Sequence, residues 1–339
     1  MSPADISKIE EILSSPKNIV ITTHRSPDAD ALGSSLGLCH FLKKFEHHVN
    51  VITPNSYPEF LHWMPGHKEV INYETQKKVA KAIVKNADLI FCLDYNILKR
   101  MEEFGEVVGK TTALKILIDH HQQPDSFPDF ILSDVTASST AQLIFNFIET
   151  LKGEKYIDKD IAECLYAGIM TDSGNFRFST TTTETHRVVS KLLEAGVRPD
   201  KIYTLIFDDN TQERMNLLGH TLLNKLKYFP EFHTSMISLT RDELKQFRYR
   251  QGDTEGFVNY PLSIKGVKFS ALMIEKKDLV KLSFRSKGNF SVNKFARLHF
   301  SGGGHDNAAG GESRISLDET VTKFISLLPQ YKEELLKEK

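Results

Sequence analysis

The chain has 339 residues, 40% of them apolar and 26% charged, with a formal net charge of −1. That length exceeds one ordinary core and suits two domains, and the composition is that of a globular protein. No apolar run approaches the roughly 20 residues of a membrane span, Met1-Ser2-Pro3-Ala4-Asp5 lacks the basic and apolar regions of a secretory leader, and the near-neutral charge disfavours a grip on long duplex DNA.

The first strand pattern is the apolar run Asn18–Thr23. It opens directly onto His24-Arg25-Ser26-Pro27-Asp28-Ala29-Asp30-Ala31-Leu32-Gly33-Ser34, followed by a helical pattern over Gly33–Phe45. One imidazole and two carboxylates thus fall within seven residues, where a strand ends and a helix begins. Open α/β sheets place their active sites there. Clusters of oxygen donors supplemented by histidine hold Mn²⁺ or Mg²⁺-type ions. An Asp at a strand–helix junction also serves as an N-cap, so any one of these residues alone has an ordinary explanation.

Further strand patterns follow at Val49–Thr53, Ala87–Leu93 and Leu114–Ile118, with helical patterns between them such as Glu74–Asn86. Short strands alternating with helices predict a doubly wound, mostly parallel α/β sheet. Two of these runs end in ligand-type residues, one at Asp94 and the other at Asp119-His120-His121. Parallel strands bring their carboxyl ends to one edge, so Asp28, Asp30, Asp94 and His120 are expected to converge. Helical patterns at Ala137–Leu151 and Asp158–Met170 come next, the latter leading to Asp172, and a third spans Thr182–Ala195 before Gly196. Carboxylates held this close repel one another and shift each other's pKa. Two divalent cations about 3.5–4 Å apart would neutralise them and suit in-line displacement at phosphorus by an activated water.

Thr211–Tyr228 reads as one long helix ending before Pro230, hence a helical linker over residues 211–230 between domains at 1–210 and 231–339. The composition then changes. Strand-like runs at Met236–Leu239, Phe257–Ile264, Val267–Ile274 and Leu279–Phe284, with helical patterns at Val292–His299 and Asp318–Leu336, predict a smaller α+β domain. Gly302-Gly303-Gly304-His305, followed by Ala308-Ala309-Gly310-Gly311, is its main feature. Consecutive glycines let backbone N–H groups turn into one concavity that suits an anion, although a glycine run is also an ordinary turn. Arg285 just upstream suits bidentate phosphate recognition. The aromatic stretch Tyr57–Trp63 is expected to pack on the core.

The His24–Asp30 loop, the lone Asp94 at a strand end, the Asp119-His120-His121 triplet and the later Asp172 resemble, in order and spacing, the four motifs of the DHH phosphoesterases. That family includes RecJ-type exonucleases, type II inorganic pyrophosphatases, cyclic-dinucleotide phosphodiesterases and nano-RNase/pAp phosphatases. The resemblance implies a first metal held by His24, Asp28 and Asp94, and a second held by Asp30, Asp94, His120 and Asp172. It makes His121 the residue that contacts the scissile phosphate or assists the leaving oxygen, with Asp119 orienting a histidine. The run from Gly302 to Gly310 resembles the motif of the DHHA1 domain, and Ser283-Phe284-Arg285-Ser286 its substrate-phosphate strand. By that likeness Arg285, Ser286, Gly302, Gly303, Gly304 and His305 would anchor the distal phosphate or base, with the second domain closing over the metal edge.

The expected activity is therefore hydrolysis of short oligonucleotides, of RNA or DNA, or of nucleoside bisphosphates such as 3′-phosphoadenosine 5′-phosphate. A linear or cyclic dinucleotide phosphodiesterase is the alternative. A non-catalytic nucleotide sensor is a reading of another class, disfavoured because every ligand position carries a residue of the expected type. Mixed His/carboxylate ligation favours Mn²⁺, with Mg²⁺ or Co²⁺ as alternatives. Three dispersed cysteines, Cys39, Cys92 and Cys164, suit a reducing cytoplasm and no membrane partner. The oligomeric state stays open, a homodimer included.

Overall fold

The computed structural model describes residues 1–337, which divide into two compact units, the first Met1–Asp209 and the second starting at Asn210. The first unit opens with α1 (Pro3–Leu13), then β1 (Asn18–Thr22), α2 (Ala29–Lys43), β2 (His48–Thr53), the short β3 (Ile71–Asn72) and α3 (Lys77–Lys85). It continues with β4 (Leu89–Leu93), α4 (Glu103–Gly109), β5 (Leu114–Asp119) and β6 (Phe130–Ser133). Four helices complete it: α5 (Thr140–Thr150), α6 (Lys159–Asp172), α7 (Thr183–Glu194) and α8 (Pro199–Tyr203).

Among the described residues the strands of this unit form one six-stranded sheet in the order β3-β2-β1-β4-β5-β6, every pair parallel. Alternate residues of each strand enter opposite cores. Ile19, Ile21, Phe91, Ile116 and Ile118 pack with α2, α5 and α6, whereas Val20, Ile90, Cys92 and Leu117 pack with α3 and α4. Burial on both faces explains why these strands read as continuous apolar runs rather than as alternating ones. The doubly wound parallel sheet expected from the sequence is the fold observed. Strand order reverses between β1 and β4, and in such sheets ligands bind outside the strand ends at this point. The Tyr57–Trp63 stretch packs as expected, with Leu61 fully buried and Tyr57, Phe60 and Trp63 lying against the same core.

The second unit begins with α9 (Gln212–His220), followed by β7 (Leu226–Phe229), β8 (Thr234–Leu239) and α10 (Arg241–Gln246). Next come β9 (Phe269–Glu275), β10 (Val280–Ser286), α11 (Val292–His299), β11 (Gly303–His305) and β12 (Ala308–Ser313). Helices α12 (Leu317–Leu327) and α13 (Lys332–Leu336) close it. The sheet order is β11-β12-β10-β9-β8-β7, antiparallel except for the β8–β9 pair. One face buries Phe269, Leu282 and Phe284 against Phe295 and Phe324; the other buries Ile237, Leu272 and Ile274 against Leu217 and Leu244.

Several segments depart from the sequence expectation. The helix expected over 211–228, and with it the helical linker at 211–230, is α-helical to His220 and passes through a π-helical turn at Thr221–Lys225. Residues 226–229 then pair with β8 as strand β7, because an open sheet edge offers Leu-Lys-Tyr-Phe a partner. Phe257–Ser263 is a 3₁₀ helix rather than a strand: Pro261 cannot donate to a ladder, and Gly256 turns the chain at a φ of 80°. The helix expected over 318–336 is broken at Leu328–Tyr331, where Pro329 removes a helical donor.

Candidate metal centre

The three strands whose ends carry ligand-type residues lie side by side as β1, β4 and β5. His24 follows β1, Asp94 follows β4, and His120 follows β5, so the convergence expected at one sheet edge is a direct consequence of strand order. Asp28 caps α2, its Oδ1 accepting from the backbone N–H groups of Asp30 and Ala31, both at 3.0 Å. Its other oxygen lies 4.0 Å from His24 Nε2. One oxygen of Asp28 thus caps the helix while the other is turned toward His24.

Asp94 occupies the middle. Its Oδ2 lies 3.2 Å from His24 Nε2, and its Oδ1 lies 3.5 Å from His120 Nε2. One carboxylate therefore faces two different donor sets with its two oxygens. His120 Nε2 also lies 3.3 Å from Asp172 Oδ2 and 3.8 Å from Asp30 Oδ2. Asp30, almost fully buried, accepts from the backbone N–H groups of Thr140 at 2.7 Å and Ala141 at 2.9 Å. These are the first two amides of α5, where a carboxylate is favoured by the helix dipole.

The histidines are pre-oriented. His24 Nδ1 lies 2.8 Å from the Arg25 carbonyl, His120 Nδ1 3.3 Å from the Ala137 carbonyl, and His121 Nδ1 2.7 Å from Asp119 Oδ1. A ring that donates through Nδ1 presents its bare Nε2 to a ligand, the arrangement that fixes metal-binding histidines. His24, Asp28 and Asp94 form one group able to hold a cation, and Asp30, His120 and Asp172 form another. His121 and Asp119 adjoin them, with His121 Nδ1 3.6 Å from Asp94 Oδ1.

The electrostatics match a cation site. Burial and the charges of Asp94 and Asp172 push the Asp30 carboxyl well above its ordinary value. Burial would raise Asp94 as well, but its contacts with His120 and His24 outweigh it and hold Asp94 well below the carboxylate range. For His120, burial opposes protonation, yet Asp172 and Asp94 dominate and raise it well above the usual imidazole value. Burial and then the Arg100 cation push His121 well below it. Burial and the Asp94 charge lift Asp119 to about 6. So many carboxylates gathered with little solvent are costly unless a positive charge offsets them.

Three contributors carried no sequence signal. Thr140 Oγ1 donates to Asp94 Oδ1 at 3.0 Å. Arg100 Nη1 donates to the Asp94 carbonyl at 3.1 Å, while the Arg100 carbonyl accepts from Arg25 N–H at 2.8 Å, tying the two loops together. Asp94 sits at a φ of 63°, a conformation rare outside glycine that the Arg100 contact helps to hold. The third is Gly168 on α6, where a Cβ would lie 2.7 Å from Asp30 Oδ1.

The expected substrate residues lie in the second unit. Arg285 pairs with Ala308, which pairs in turn with His305, so the three share a row across β10, β12 and β11. The neighbouring row, Phe284–Ala309–Gly304, takes Phe284 and Ala309 into the core, so the Arg285 row faces away from it. Gly303 and Gly304 form a strand with His305 instead of the expected anion-cradling loop. At Gly302 and Gly304 the small size serves backbone contact: a Cβ on Gly302 would lie 2.0 Å from the Gly310 carbonyl oxygen, and one on Gly304, at a φ of 149°, 2.5 Å from that of Ala308. Ser286 is buried, its hydroxyl donating to the Phe290 carbonyl at 2.6 Å and accepting from Asn307 at 2.8 Å.

A doubly wound sheet whose switch point gathers carboxylates and oriented histidines into two adjoining donor sets defines a metal-dependent phosphoesterase, a hydrolase of phosphoester bonds. The chain belongs to the DHH family: residues 18–169 match the DHH family N-terminal domain and residues 233–334 the DHHA1 domain. It is 30% identical over 313 residues to a bifunctional oligoribonuclease and PAP phosphatase, NrnA, of Thermus thermophilus, covering 91% of this chain and 88% of that protein. It is 24% identical to the cyclic-di-AMP phosphodiesterase PdeA of Listeria monocytogenes, over 95% of this chain but 49% of that protein. The crystal structure of an exopolyphosphatase-related protein from Bacteroides fragilis superposes with a TM-score of 0.94 at 41% identity, covering 99% of this chain and 98% of that one. Among the described residues no helix is long and apolar enough to cross a membrane.

Proposed function

We propose that this phosphoesterase hydrolyses short oligonucleotides and nucleoside 3′,5′-bisphosphates, 3′-phosphoadenosine 5′-phosphate among them. The observation that carries the metal chemistry is Asp94, whose two oxygens address separate histidine–carboxylate sets. One cation would be held by His24, Asp28 and Asp94, and a second by Asp30, Asp94, His120 and Asp172. Manganese suits this mixed donor set first, with Mg²⁺ or Co²⁺ as alternatives. When bound, two such ions supply an activated water and polarise the phosphoryl oxygens.

The remaining steps fall to the chain. Asp119 fixes the ring of His121 through Nδ1 and would stabilise its protonated form, whose Nε2–H would contact the scissile phosphate or pass its proton to the leaving oxygen. Asp28 and Asp30, anchored to backbone amides of α2 and α5, keep their oxygens in place without reorganisation. In the second unit Arg285 and His305, half-buried along one row, would bind the phosphate or base that does not react. Ser286, with its hydroxyl already engaged, would support the Asn307 turn beside them. The similarity to a named oligoribonuclease and PAP phosphatase over most of both chains supports this substrate range. The buried, unpaired Cys39, Cys92 and Cys164 suit a reducing cytoplasm.

The test is Mn²⁺-dependent hydrolysis across a matched panel: 3′-phosphoadenosine 5′-phosphate, a 5′-phosphorylated dinucleotide, a long single strand, a cyclic dinucleotide and pyrophosphate. Turnover of the first two above the rest is expected. Preference for the cyclic dinucleotide would move the assignment toward the PdeA-like alternative. Tight nucleotide binding with no turnover would leave only a sensor.

A further inference from the structure

The second unit carries a basic groove that none of the roles above uses. It has a volume of about 440 Å³ and lies where α10 meets the turn between β9 and β10. Arg241, Lys245 and Arg248 line one side, and Lys276 and Lys277 the other. Against these five cations stands Glu275, whose Oε2 already accepts from the Arg241 backbone N–H at 2.9 Å. Arg248 has a loose partner in Glu213 at 3.7 Å. Among the described residues no carboxylate lies within ion-pair distance of Arg241, Lys245, Lys276 or Lys277. In a chain of net charge −1, this is a marked local excess of positive charge.

Lys276 makes the groove more than a solvated surface. It is partly buried, and its Nζ lies 4.7 Å from the centroid of the Tyr249 ring and 3.5 Å from the Tyr249 hydroxyl. Burial pushes its ammonium below the ordinary lysine value. A half-buried cation with no counter-charge costs free energy that an incoming anion would recover. The Tyr249 ring holds the ammonium itself at the groove, so the charge does not swing away. The row holding Arg285 pairs with Ser270, five residues before Glu275, which puts the groove roughly 17 Å along the sheet from Arg285.

We infer that this groove binds backbone phosphates of a single-stranded oligonucleotide, as a site distinct from the Arg285–His305 row. The choice of oligonucleotide over another polyanion rests on the function proposed above. Three lysines spaced along the groove beside two arginines suit successive phosphates better than one bidentate anion. Such contacts add affinity without reading sequence.

The experiment measures binding of a labelled single-stranded RNA of about 12 nucleotides to the full-length Asp94→Asn chain over a range of salt. Three variants are compared with it: Lys245→Glu/Lys277→Glu, Lys276→Met, and Lys78→Glu/Lys85→Glu on exposed positions of α3 as a control of equal charge. The groove pair is expected to weaken binding at least ~10-fold at low salt and to reduce the magnitude of the salt slope by about 1.4. Lys276→Met, which retains the stem, is expected to weaken binding, and the control to retain it. Equal losses in both charge-reversed pairs, or none in either, would overturn the site. Equal binding of a polyglutamate of similar length would overturn the ligand class. Turnover of the substrate panel by the unmodified chain reports separately on the function, so the two readings fail independently.

Discussion

Asp94→Asn is expected to lower phosphoester hydrolysis by at least ~10³-fold while leaving the fold intact. The side chain keeps its shape but turns one acceptor oxygen into an NH₂ donor. In whichever orientation the amide settles, that NH₂ faces either His24 Nε2, 3.2 Å from Oδ2, or His120 Nε2, 3.5 Å from Oδ1. One of the two donor sets therefore loses its shared ligand. Metal assistance contributes several kcal/mol to such a reaction, and each ~1.4 kcal/mol is tenfold in rate. Steady-state kinetics on a turned-over substrate, with circular dichroism to verify folding, checks this result. A variant within tenfold of the parent would remove Asp94 from the centre of the site.

Gly168→Ala is expected to damage both stability and activity, although it lies on a helix and removes no functional group. Helices α2 and α6 carry Asp30 and Asp172 on packed faces. A Cβ at Gly168 would meet Asp30 Oδ1 and Ala141 Cβ at 2.7 Å each, and the Asp30 Cα at 3.2 Å. Backbone must move, and the carboxylate moves with it. Overpacking of this kind costs about 1–3 kcal/mol, offset in part by the roughly 1 kcal/mol advantage of Ala over Gly within a helix. The expected outcome is a melting temperature lower by a few degrees and a rate loss of at least ~10-fold, since a displacement near 1 Å costs about 10²-fold. Gly33→Ala separates the two effects. Its Cβ would lie 2.3 Å from the Cys164 carbonyl oxygen but near no ligand, so stability falls further than activity measured well below melting. Parental melting and parental rate in Gly168→Ala would show that this contact is dispensable.

The parts legible in the sequence were those written in local pattern. Apolar runs ending at His24, Asp94 and Asp119 announced buried parallel strands, and strand order then brought their ends together. Residues 226–229 and 257–263 are not legible in local pattern because their states are set from outside, by an open sheet edge in one case and by Pro261 and a turning Gly256 in the other. The glycine run looked like a loop, since a sequence cannot show that the Gly310 and Ala308 carbonyls leave no room for a Cβ. Thr140 and Arg100 escaped for a similar reason. Each acts on Asp94 from a separate segment, and neither belongs to a period or a motif. Gly168 was hidden inside a helical pattern, where its small size matters only to the helix packed against it.

Sharing of Asp94 by two cations is tested most directly by locating Mn²⁺ through anomalous scattering in crystals of the parent chain and of Asp94→Asn. Two peaks are expected in the parent, one among His24, Asp28 and Asp94 and the other among Asp30, Asp94, His120 and Asp172, with at least one lost in the variant. No peak at the ends of β1, β4 and β5, or two undiminished peaks in Asp94→Asn, would exclude a pair of cations sharing Asp94.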